Sequence, residues 1–484
     1  MPDVEPERLD EDAPRAIARL PEPTRIVVLG GGFGGLAAVR ELERVLPADA
    51  NVRITLVNRE NFTLFTPMLH EVAASDLDVT TIVNPIRKLV RRGTLFTGTV
   101  DAIDLDARTV TLTHGAGAHT PGHAHVLRYD HLVIALGAIT NFLGVPGAAE
   151  RAITMRSLGD ALRLRTRLIR HLEEADFECN AEQRDPLLGV VVAGGGFAGV
   201  ETVAAVHDFL RAALRYYPSV GPEHLRVSVV HPGAYLLPEL GERLGRYAGA
   251  RLAERGVDVL LNARVAAVEP DAVVLKDGRR LTARTVVWTA GNAAHPVLDA
   301  LPCAKARGRI VTDACLRVPE WPGVWALGDC AHVPDGEAPD GAAHPPTAQH
   351  ALRMGALAGR NVAAALRGEA PRPFAFRTIG QLAAIGRRTG VASLRGRMFS
   401  GFVAWVLWRA IYLAKLPRFE KKLRVALDWM LDLIFSKDLV QFATGPAPAA
   451  PGRPPAAPAV SAAGAPARVA DPVRSAGSSG TTSR

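Results

Sequence analysis

The sequence contains few cysteines and no local pair of them. Four cysteines occur in 484 residues, and their spacing gives no CxxC motif, no CxxxxC motif and no zinc-type cluster. This excludes a reductase that works through adjacent redox thiols, and we expect no metal site. So few and so scattered cysteines are typical of proteins of a reducing cytosol.

Long apolar runs are also absent, since no uninterrupted apolar segment reaches the roughly 20 residues of a spanning helix. Residues 1–23 are acidic and have no apolar core, so we expect a mobile arm and not a signal peptide. Residues 441–484 are rich in Ala, Pro, Gly and Ser without apolar periodicity, and we expect them to be disordered.

Two glycine-rich turns have nearly identical sequences, GGGFGG at 30–35 and GGGFAG at 194–199. Each follows a short apolar run that predicts a buried strand, and each precedes apolar residues at helical spacing. A second apolar run follows each helix, at 52–57 and at 225–230. The chain therefore contains two βαβ units, separated by the length of a domain.

A GxGxxG turn between a strand and a helix is the pattern of a dinucleotide site. Its glycines permit a tight turn, close approach of a pyrophosphate and close packing of helix on strand. The positive helix N-terminus then faces the phosphates. The residues predicted to contact the two nucleotides are Gly30, Gly32, Phe33, Gly34 and Gly35 in the first unit and Gly194, Gly196, Phe197 and Gly199 in the second.

The position after the second strand of each unit usually carries an acid that binds ribose hydroxyls. Here it carries Asn58 in the first unit and His231 in the second. Asn58 can still hydrogen-bond a ribose. His231 would not repel the 2′-phosphate of NADPH, so the choice between NADH and NADPH stays open. Both residue types also suit turns, and that alternative remains.

Three further apolar runs end in glycine, where a ligand often approaches the backbone. They predict contacts at Gly137, at Gly291 and at the pair Gly328-Asp329. Asp329 could alternatively be a simple turn residue after its strand.

Residues 24–440 resemble the type II NADH dehydrogenases, the single-subunit NADH:quinone oxidoreductases among the FAD/NAD(P)-binding pyridine nucleotide-disulfide oxidoreductase-like flavoproteins. The resemblance rests on the two turns, the segment NRENFTLFTPML (58–69), Gly328-Asp329, the AQHALR segment (348–353) and Glu201. In that family the aspartate holds a ribitol hydroxyl of FAD. The AQxAxQ motif lies near the flavin and the quinone, but Arg353 replaces its second glutamine, which weakens inference about the quinone pocket.

The resemblance implies that Asn58, Arg59, Thr66, Pro67, Ala348 and Gln349 contact non-covalent FAD. It also implies that Glu201 lies near the nicotinamide and the quinone, with Glu201 and Gln349 as catalytic candidates. Two alternatives stay open: Gln349 as a residue of a helix face, and Glu201 as a carboxylate favoured by the dipole of its helix.

Residues 387–424 hold ten basic residues and one acid, interleaved with the aromatic segment GFVAWVLWRAIYLAKL. This composition favours a helix lying in the interface of an anionic membrane. The family is similar in ending with anchoring helices. A helical pair that dimerises or packs on its own domain is the alternative. No nucleic-acid motif accompanies the basic residues.

We therefore predict an α/β fold with two Rossmann-like dinucleotide-binding domains and a C-terminal amphipathic helical region that associates with the membrane. The predicted segments are 1–23 (arm), 24–148 with 296–375 (FAD domain), 149–295 (NAD(P)H domain), 376–440 (membrane-associated region) and 441–484 (tail). The predicted reaction transfers hydride from NAD(P)H to FAD and then two electrons to a membrane quinone, without proton pumping, at the cytoplasmic face of the cell membrane.

Two rival functions share the fold. A sulfide:quinone oxidoreductase would need redox cysteines, which only a distant pair such as Cys303 and Cys330 could supply. A redox-regulatory flavoprotein would act through a bound partner and turn over little.

Overall fold

The computed structural model describes residues 22–115, 122–338 and 342–441. The predicted arm and the predicted disordered tail lie outside these residues, apart from 22–23 and 441. The chain divides into two units, Met1–Phe442 and Ala443–Arg484, and all described residues belong to the first.

The described residues form ten α-helices. They are α1 (Phe33–Val45), α2 (Leu69–Ala73), α3 (Ala148–Arg151), α4 (Leu158–Phe177), α5 (Ala181–Leu188), α6 (Phe197–Ala213), α7 (Glu242–Glu254), α8 (Ala348–Leu366), α9 (Gly401–Lys415) and α10 (Phe419–Ile434).

The strands of the described residues are β1 (Thr24–Leu29), β2 (Val52–Asn58), β3 (Phe62–Leu64), β4 (Val83–Pro85), β5 (Thr94–Thr97), β6 (Thr99–Asp104), β7 (Thr109–His114), β8 (His123–Arg128), β9 (His131–Ile134), β10 (Ala138–Thr140), β11 (Ile153–Thr154), β12 (Gly189–Ala193), β13 (Arg226–Val230), β14 (Asp258–Leu260), β15 (Val265–Val268), β16 (Ala272–Leu275), β17 (Arg280–Thr282), β18 (Thr285–Trp288), β19 (Asn292–Ala294), β20 (Lys305–Ala306), β21 (Arg309–Val311), β22 (Val324–Ala326), β23 (Ala331–His332), β24 (Gly380–Ala384), β25 (Gly390–Leu394) and β26 (Arg397–Ser400).

The first glycine turn leaves the middle of a parallel sheet. Its five strands run in the order β22-β9-β1-β2-β5, and every neighbouring pair is parallel. Ile26, Val28 and Leu29 of the central strand are completely buried, as the apolar run predicted. Helices α1 and α8 pack beside each other in the same core.

The second glycine turn leaves the middle of an equivalent parallel sheet, with the order β11-β18-β12-β13-β14. This confirms the predicted α/β class with two Rossmann-like sheets. The apolar run before this turn is not all strand, because Leu188 ends helix α5 and the strand begins at Gly189.

Strand β10 follows Gly137, where the chain leaves the first sheet. Strand β19 follows Gly291, where the chain leaves the second sheet and returns to the first. These two short strands pair antiparallel. Strand β22 then joins the first sheet, which is therefore assembled from two distant parts of the chain.

The C-terminal region adds an antiparallel sheet, β24-β25-β26, which the sequence reading missed. Helices α9 and α10 pack in the same core as α2 and α6, with Trp408 completely buried and Trp429 nearly so. The predicted interface segment 401–416 therefore does not present all its aromatic rings outward, because Trp408 belongs to the core. Among the described residues, every helix is too short or too polar to traverse a bilayer.

Gly355 on α8 permits the close contact with α1. A Cβ at this position would overlap the carbonyl oxygen of Gly34 and lie 2.9 Å from Cβ of Ala37. We predict that Gly355→Ala lowers the free energy of unfolding by about 1–3 kcal/mol, despite the better helix propensity of alanine.

Denaturant unfolding followed by circular dichroism measures this change. Gly336→Ala is the matched control, because a Cβ there meets no heavy atom within 4 Å. Equal midpoints for both variants would contradict the packing argument.

Candidate functional site

The first glycine turn leaves open space above the start of α1. Gly30 has a φ of +102°, and a Cβ there would overlap the carbonyl oxygen of Ala135. At Gly32, by contrast, an added Cβ meets no heavy atom within 4 Å. Helix α1 begins with no side-chain cap, so its first N–H groups are available to an anion. Here the turn fits a pyrophosphate.

Asn58 at the end of β2 fastens this turn. Its Oδ1 accepts from the N–H of Gly31 at 2.8 Å, and its Nδ2 donates to the carbonyls of Glu60 and Phe62 at 2.8 and 3.3 Å. Both amide protons are thus used within the protein, and only an oxygen lone pair remains for a ribose. Arg59 beside it is largely exposed, with 73% of its side chain accessible.

Gly328 and Asp329 form a short 3-10 turn (Gly328–Cys330) after β22. Burial raises the pKa of the Asp329 carboxyl, and the charges of Arg156 and Arg309 oppose that rise. Arg156 is held in place by hydrogen bonds to the carbonyl of Ala138 at 3.0 Å and to Thr140 Oγ1 at 3.1 Å. No sequence pattern had indicated Arg156.

The start of α8 lies over the first turn. A Cβ at Gly34 would lie 3.2 Å from the carbonyl oxygen of Ala351, and one at Gly328 would lie 3.5 Å from Cβ of Ala351. The structure therefore brings together the first turn, the Gly328-Asp329 turn and the helix that begins at Ala348, although they are distant in sequence.

An aromatic row runs from this turn toward the C-terminal helices. The rings of Phe33 and Phe65 lie 6.0 Å apart, and those of Phe65 and Tyr412 lie 6.1 Å apart. The predicted contact residues Thr66 and Pro67 directly follow Phe65, with Thr66 exposed and Pro67 half-buried. Gly137 has a φ of +69° and open space at its Cβ position.

The second turn repeats the design of the first. Gly194 has a φ of +114°, and a Cβ at Gly199 would overlap its carbonyl oxygen. Helix α6 begins at Phe197 without a side-chain cap, and the atom nearest to a Cβ at Gly196 is 3.9 Å away. Gly291 has a φ of +78°, and a Cβ at this position would lie only 2.6 Å from the carbonyl oxygen of Asn141.

His231 takes the place that Asn58 has in the first unit. Its Nδ1 accepts from the N–H of Gly195 at 3.1 Å, so the neutral ring carries its proton on Nε2. Burial lowers the pKa of His231, opposed by the nearby carboxylate of Glu239.

Glu239 is a functional candidate that sequence reasoning missed. It lies on a 3-10 turn (Pro238–Leu240), and its Oε1 is the atom 3.9 Å from the Cβ position of Gly196. An exposed carboxylate therefore lies beside the second turn, although the end of β13 carries none. No spacing rule points to this position.

Glu201 is buried on α6, with 7% exposure. Its Oε1 accepts from the indole N–H of Trp408 at 2.9 Å and from the backbone N–H of Ala384 at 3.2 Å, and its Oε2 lies 3.8 Å from Nδ1 of His70. Burial raises the pKa of Glu201 to about 8 and lowers that of His70 to about 3. At neutral pH the carboxyl holds a proton and the imidazole is neutral.

Glu71 is a second buried acid, and no sequence motif indicates it. Its Oε2 accepts from the indole N–H of Trp429 at 3.1 Å, and its Oε1 lies 3.9 Å from the Arg409 guanidinium. Burial raises the pKa of Glu71 to about 7. Each buried acid thus receives an indole donor from a C-terminal helix.

Gln349 and Glu201 are both attached to strand β24 but do not touch. Nε2 of Gln349 donates to the carbonyl of Gly380 at 2.7 Å, while Ala384 binds Glu201. Four residues of strand separate these two points by roughly 13 Å. Arg353, which breaks the AQxAxQ pattern, stacks on the ring of Phe376 with its guanidinium carbon 3.9 Å from the centroid.

Comparison with known proteins supplies a family. Residues 24–355 match the pyridine nucleotide-disulphide oxidoreductase family, and residues 379–438 match the NDH2 C-terminal domain. A type II NADH:quinone oxidoreductase of Mycobacterium tuberculosis is 31% identical over 439 residues, which cover 87% of this chain and 90% of the relative. A probable NADH dehydrogenase of Dictyostelium discoideum is 29% identical, covering 87% of this chain and 92% of the relative.

Solved structures agree in fold. NDH2 from Plasmodium falciparum, in complex with NADH, has a TM-score of 0.78 at 19% identity, covering 86% of this chain and 99% of the other. The sulfide:quinone oxidoreductase of Aquifex aeolicus has a TM-score of 0.63 at 20% identity, covering 85% and 95%. Together with the sequence matches, these results confirm the predicted resemblance, and the chain belongs to the type II NADH:quinone oxidoreductases of the pyridine nucleotide-disulphide oxidoreductase family.

Proposed function

We propose that this chain oxidises NADH at the second glycine turn and delivers two electrons to a quinone through FAD held at the first. The observation that carries this proposal is the pair of uncapped helix N-termini, each below open glycine positions, on two equivalent parallel sheets. The carboxyl of Glu201, in the first turns of α6, is buried and protonated and would store a proton beside the second glycine turn.

The residues that would hold FAD belong to segments 24–148 and 296–375. They are Gly30, Gly32, Phe33, Gly34, Gly35, Asn58, Arg59, Thr66, Pro67, Gly137, Gly328, Asp329, Ala348 and Gln349. The open space at Gly32 suits the pyrophosphate, and the half-buried carboxylate of Asp329 suits a ribitol hydroxyl. Bound FAD would supply hydride acceptance and two-electron transfer.

The residues that would hold the nicotinamide dinucleotide are Gly194, Gly196, Phe197, Gly199, His231 and Gly291, within segment 149–295. We add Glu239 to this set. Its carboxylate would accept from ribose hydroxyls and repel a 2′-phosphate, which favours NADH over NADPH. His231 accepts a hydrogen bond from the N–H of Gly195 and does not contribute to the preference for NADH over NADPH.

Reduction of a quinone to a quinol consumes two protons along with two electrons. The hydride taken from NADH accounts for both electrons and one proton, and the second proton must come from an acid in the site. Glu201 holds a proton near neutral pH in a site that excludes water, which suits a general acid. We propose Glu201 as the proton donor and Gln349, fixed by its bond to Gly380, as a positioning group for the quinone.

The C-terminal helices would place the enzyme on the cytoplasmic face of the membrane. Their inward face is occupied by Trp408 and Trp429, while apolar side chains cover the outward face. Leu423, Leu427 and Met430 of α10 are 63%, 49% and 59% exposed and follow helical spacing. An outward apolar stripe of this kind suits a bilayer interface or a second copy of the chain.

The cysteines speak against sulfide chemistry. Cys330 is completely buried, and burial raises the pKa of its thiol to about 11, so it does not form a nucleophilic thiolate. All four cysteines are free.

The redox-regulatory alternative predicts negligible turnover with every quinone, which steady-state assays test directly.

Glu239 should control the choice of nucleotide. We expect Glu239→Gln to lower the ratio of kcat/KM for NADH over NADPH about tenfold, or about 1.4 kcal/mol, because the repulsion of the 2′-phosphate is lost. Glu254→Gln, at the far end of α7, is the matched control and should leave the ratio unchanged. An unchanged ratio in Glu239→Gln would remove this carboxylate from the site.

Glu201 should impose an alkaline limb on quinone reduction. In the wild type, the rate of the oxidative half-reaction should fall as pH rises through about 8, because the folded-state carboxyl then loses its proton. Glu201→Gln has no such proton to lose, so the limb should flatten and the rate should fall about 10²-fold.

Stopped-flow measurement separates this effect from nucleotide binding. Flavin bleaching by NADH is the internal control and should stay within about twofold of the wild type, because the proton is needed only for the quinone. Retention of the same alkaline limb in Glu201→Gln would assign it to another group.

The outward stripe should anchor the enzyme to membranes. We predict that Leu423→Glu with Met430→Glu shifts the protein from the membrane pellet to the soluble fraction, since both side chains are exposed on one face of α10. Val126→Glu with Phe177→Glu, at positions 62% and 83% exposed elsewhere, is the control. Release by both pairs alike would mean that added negative charge, not the stripe, is responsible.

A further inference from the structure

A surface pocket of about 420 Å³ lies between the ends of α6 and α10. Neither glycine turn contributes a residue to its lining, and neither do Glu71 and Glu201. Arg211 and Arg215 line it from the α6 side, Arg387 from the loop between β24 and β25, and Ile434, Phe435 and Lys437 from the end of α10. Its cationic side is formed by Arg211, Arg215, Arg387 and Lys437, and its apolar side by Ile434 and Phe435.

The cationic side is only partly compensated. Lys437 pairs with Asp76 and, at 3.6 Å, with Asp432, which also lines the pocket. Arg387 donates to the backbone carbonyl of Asp432 at 3.0 Å.

Arg211 and Arg215 are exposed, and neither forms an ion pair with any carboxylate in the described part of the chain. The guanidinium carbon of Arg215 lies over the ring of Tyr216, 4.9 Å from its centroid. Two guanidinium groups without a carboxylate partner at one cavity favour a phosphate, which accepts several charge-assisted hydrogen bonds.

The apolar side faces outward. Ile434 and Phe435 are 75% and 66% exposed, and Ile434 continues the outward stripe of Leu427 and Met430 along α10. A soluble phosphate would gain nothing from such a wall. An amphiphile with an anionic head and apolar chains complements both sides.

We infer that this pocket binds the phosphate headgroup of an anionic membrane phospholipid, with Ile434 and Phe435 entering the acyl layer. The inference rests on the proposed membrane attachment and extends it to a specific headgroup site. Because Arg211 and Arg215 belong to the end of the nucleotide-binding helix α6 and the turn after it, the lipid would fix the orientation of the nicotinamide unit on the membrane surface.

The test uses the full-length flavin-loaded protein in vesicle flotation. Vesicles of phosphatidylcholine alone are compared with vesicles that also contain about one third phosphatidylglycerol. Arg211→Gln with Arg215→Gln removes the two unpaired charges, and Arg387 is left intact because it holds the end of α10. The control variant is Arg53→Gln with Arg128→Gln. Both residues are exposed, lie on strands β2 and β8 outside the pocket, and their replacement removes the same net charge.

We expect the pocket variant to bind the anionic vesicles about tenfold more weakly, and the control variant to change about twofold or less. Binding to neutral vesicles should be the same for all three proteins. Turnover of NADH with a water-soluble quinone should also be the same, which shows that the variants are folded and flavin-loaded.

Equal losses in the two variants would overturn the pocket in favour of general surface charge. Competition by millimolar glycerol 3-phosphate, with no preference for anionic vesicles, would assign the site to a soluble phosphate instead. Wild-type protein that floats with no vesicle would contradict the membrane attachment itself, whereas wild-type flotation that does not depend on Arg211 and Arg215 would contradict only the pocket.

Discussion

The hydrogen bond from the indole of Trp408 to the carboxyl of Glu201 joins residues 207 positions apart in the sequence. A buried indole needs an acceptor for its N–H, and a buried carboxyl is costly unless it is hydrogen-bonded or protonated. Each group satisfies the other, and Trp429 repeats the arrangement with Glu71. These two bonds determine which faces of α9 and α10 point inward. The outward apolar stripe is the geometric consequence, so the raised pKa of Glu201 and the apolar outer face of α10 depend on the same contacts.

The same contacts place the charge of Arg409 inside the protein and not at its surface. In the sequence it interrupts the best apolar run and looks like a residue at a membrane interface. In the structure its guanidinium carbon lies 4.3 and 4.4 Å from the ring centroids of Trp405 and Trp429, and a guanidinium nitrogen lies 3.9 Å from Glu71. The cation is therefore internal, where it opposes the effect of burial on Glu71.

Local rules explain what the sequence could predict. Strand, glycine turn and helix are contiguous, so both dinucleotide units were recognisable from the turns 30–35 and 194–199. The same rules failed where function is assembled across the chain. Glu71, Arg156 and Glu239 carry no motif, and they gain significance only when α10, β10 and the second turn approach them. Asn58 and His231 were identified by position, yet both hydrogen-bond their own turns, which no spacing could reveal.

The dependence of Glu201 on the C-terminal helices also determines which experiments are informative. Its raised pKa has burial as the largest cause, and Trp408 is part of what buries it. A chain cut before Gly401 would lack both indoles, and water would then reach both carboxyls and return them toward their ordinary pKa values. Loss of activity in such a chain would not distinguish the effect of removing the outward apolar stripe from the effect of exposing Glu201 and Glu71 to water. Substitutions on the outward face separate the two effects, because they leave Trp408 and Trp429 in place and change only what the helices present to their surroundings.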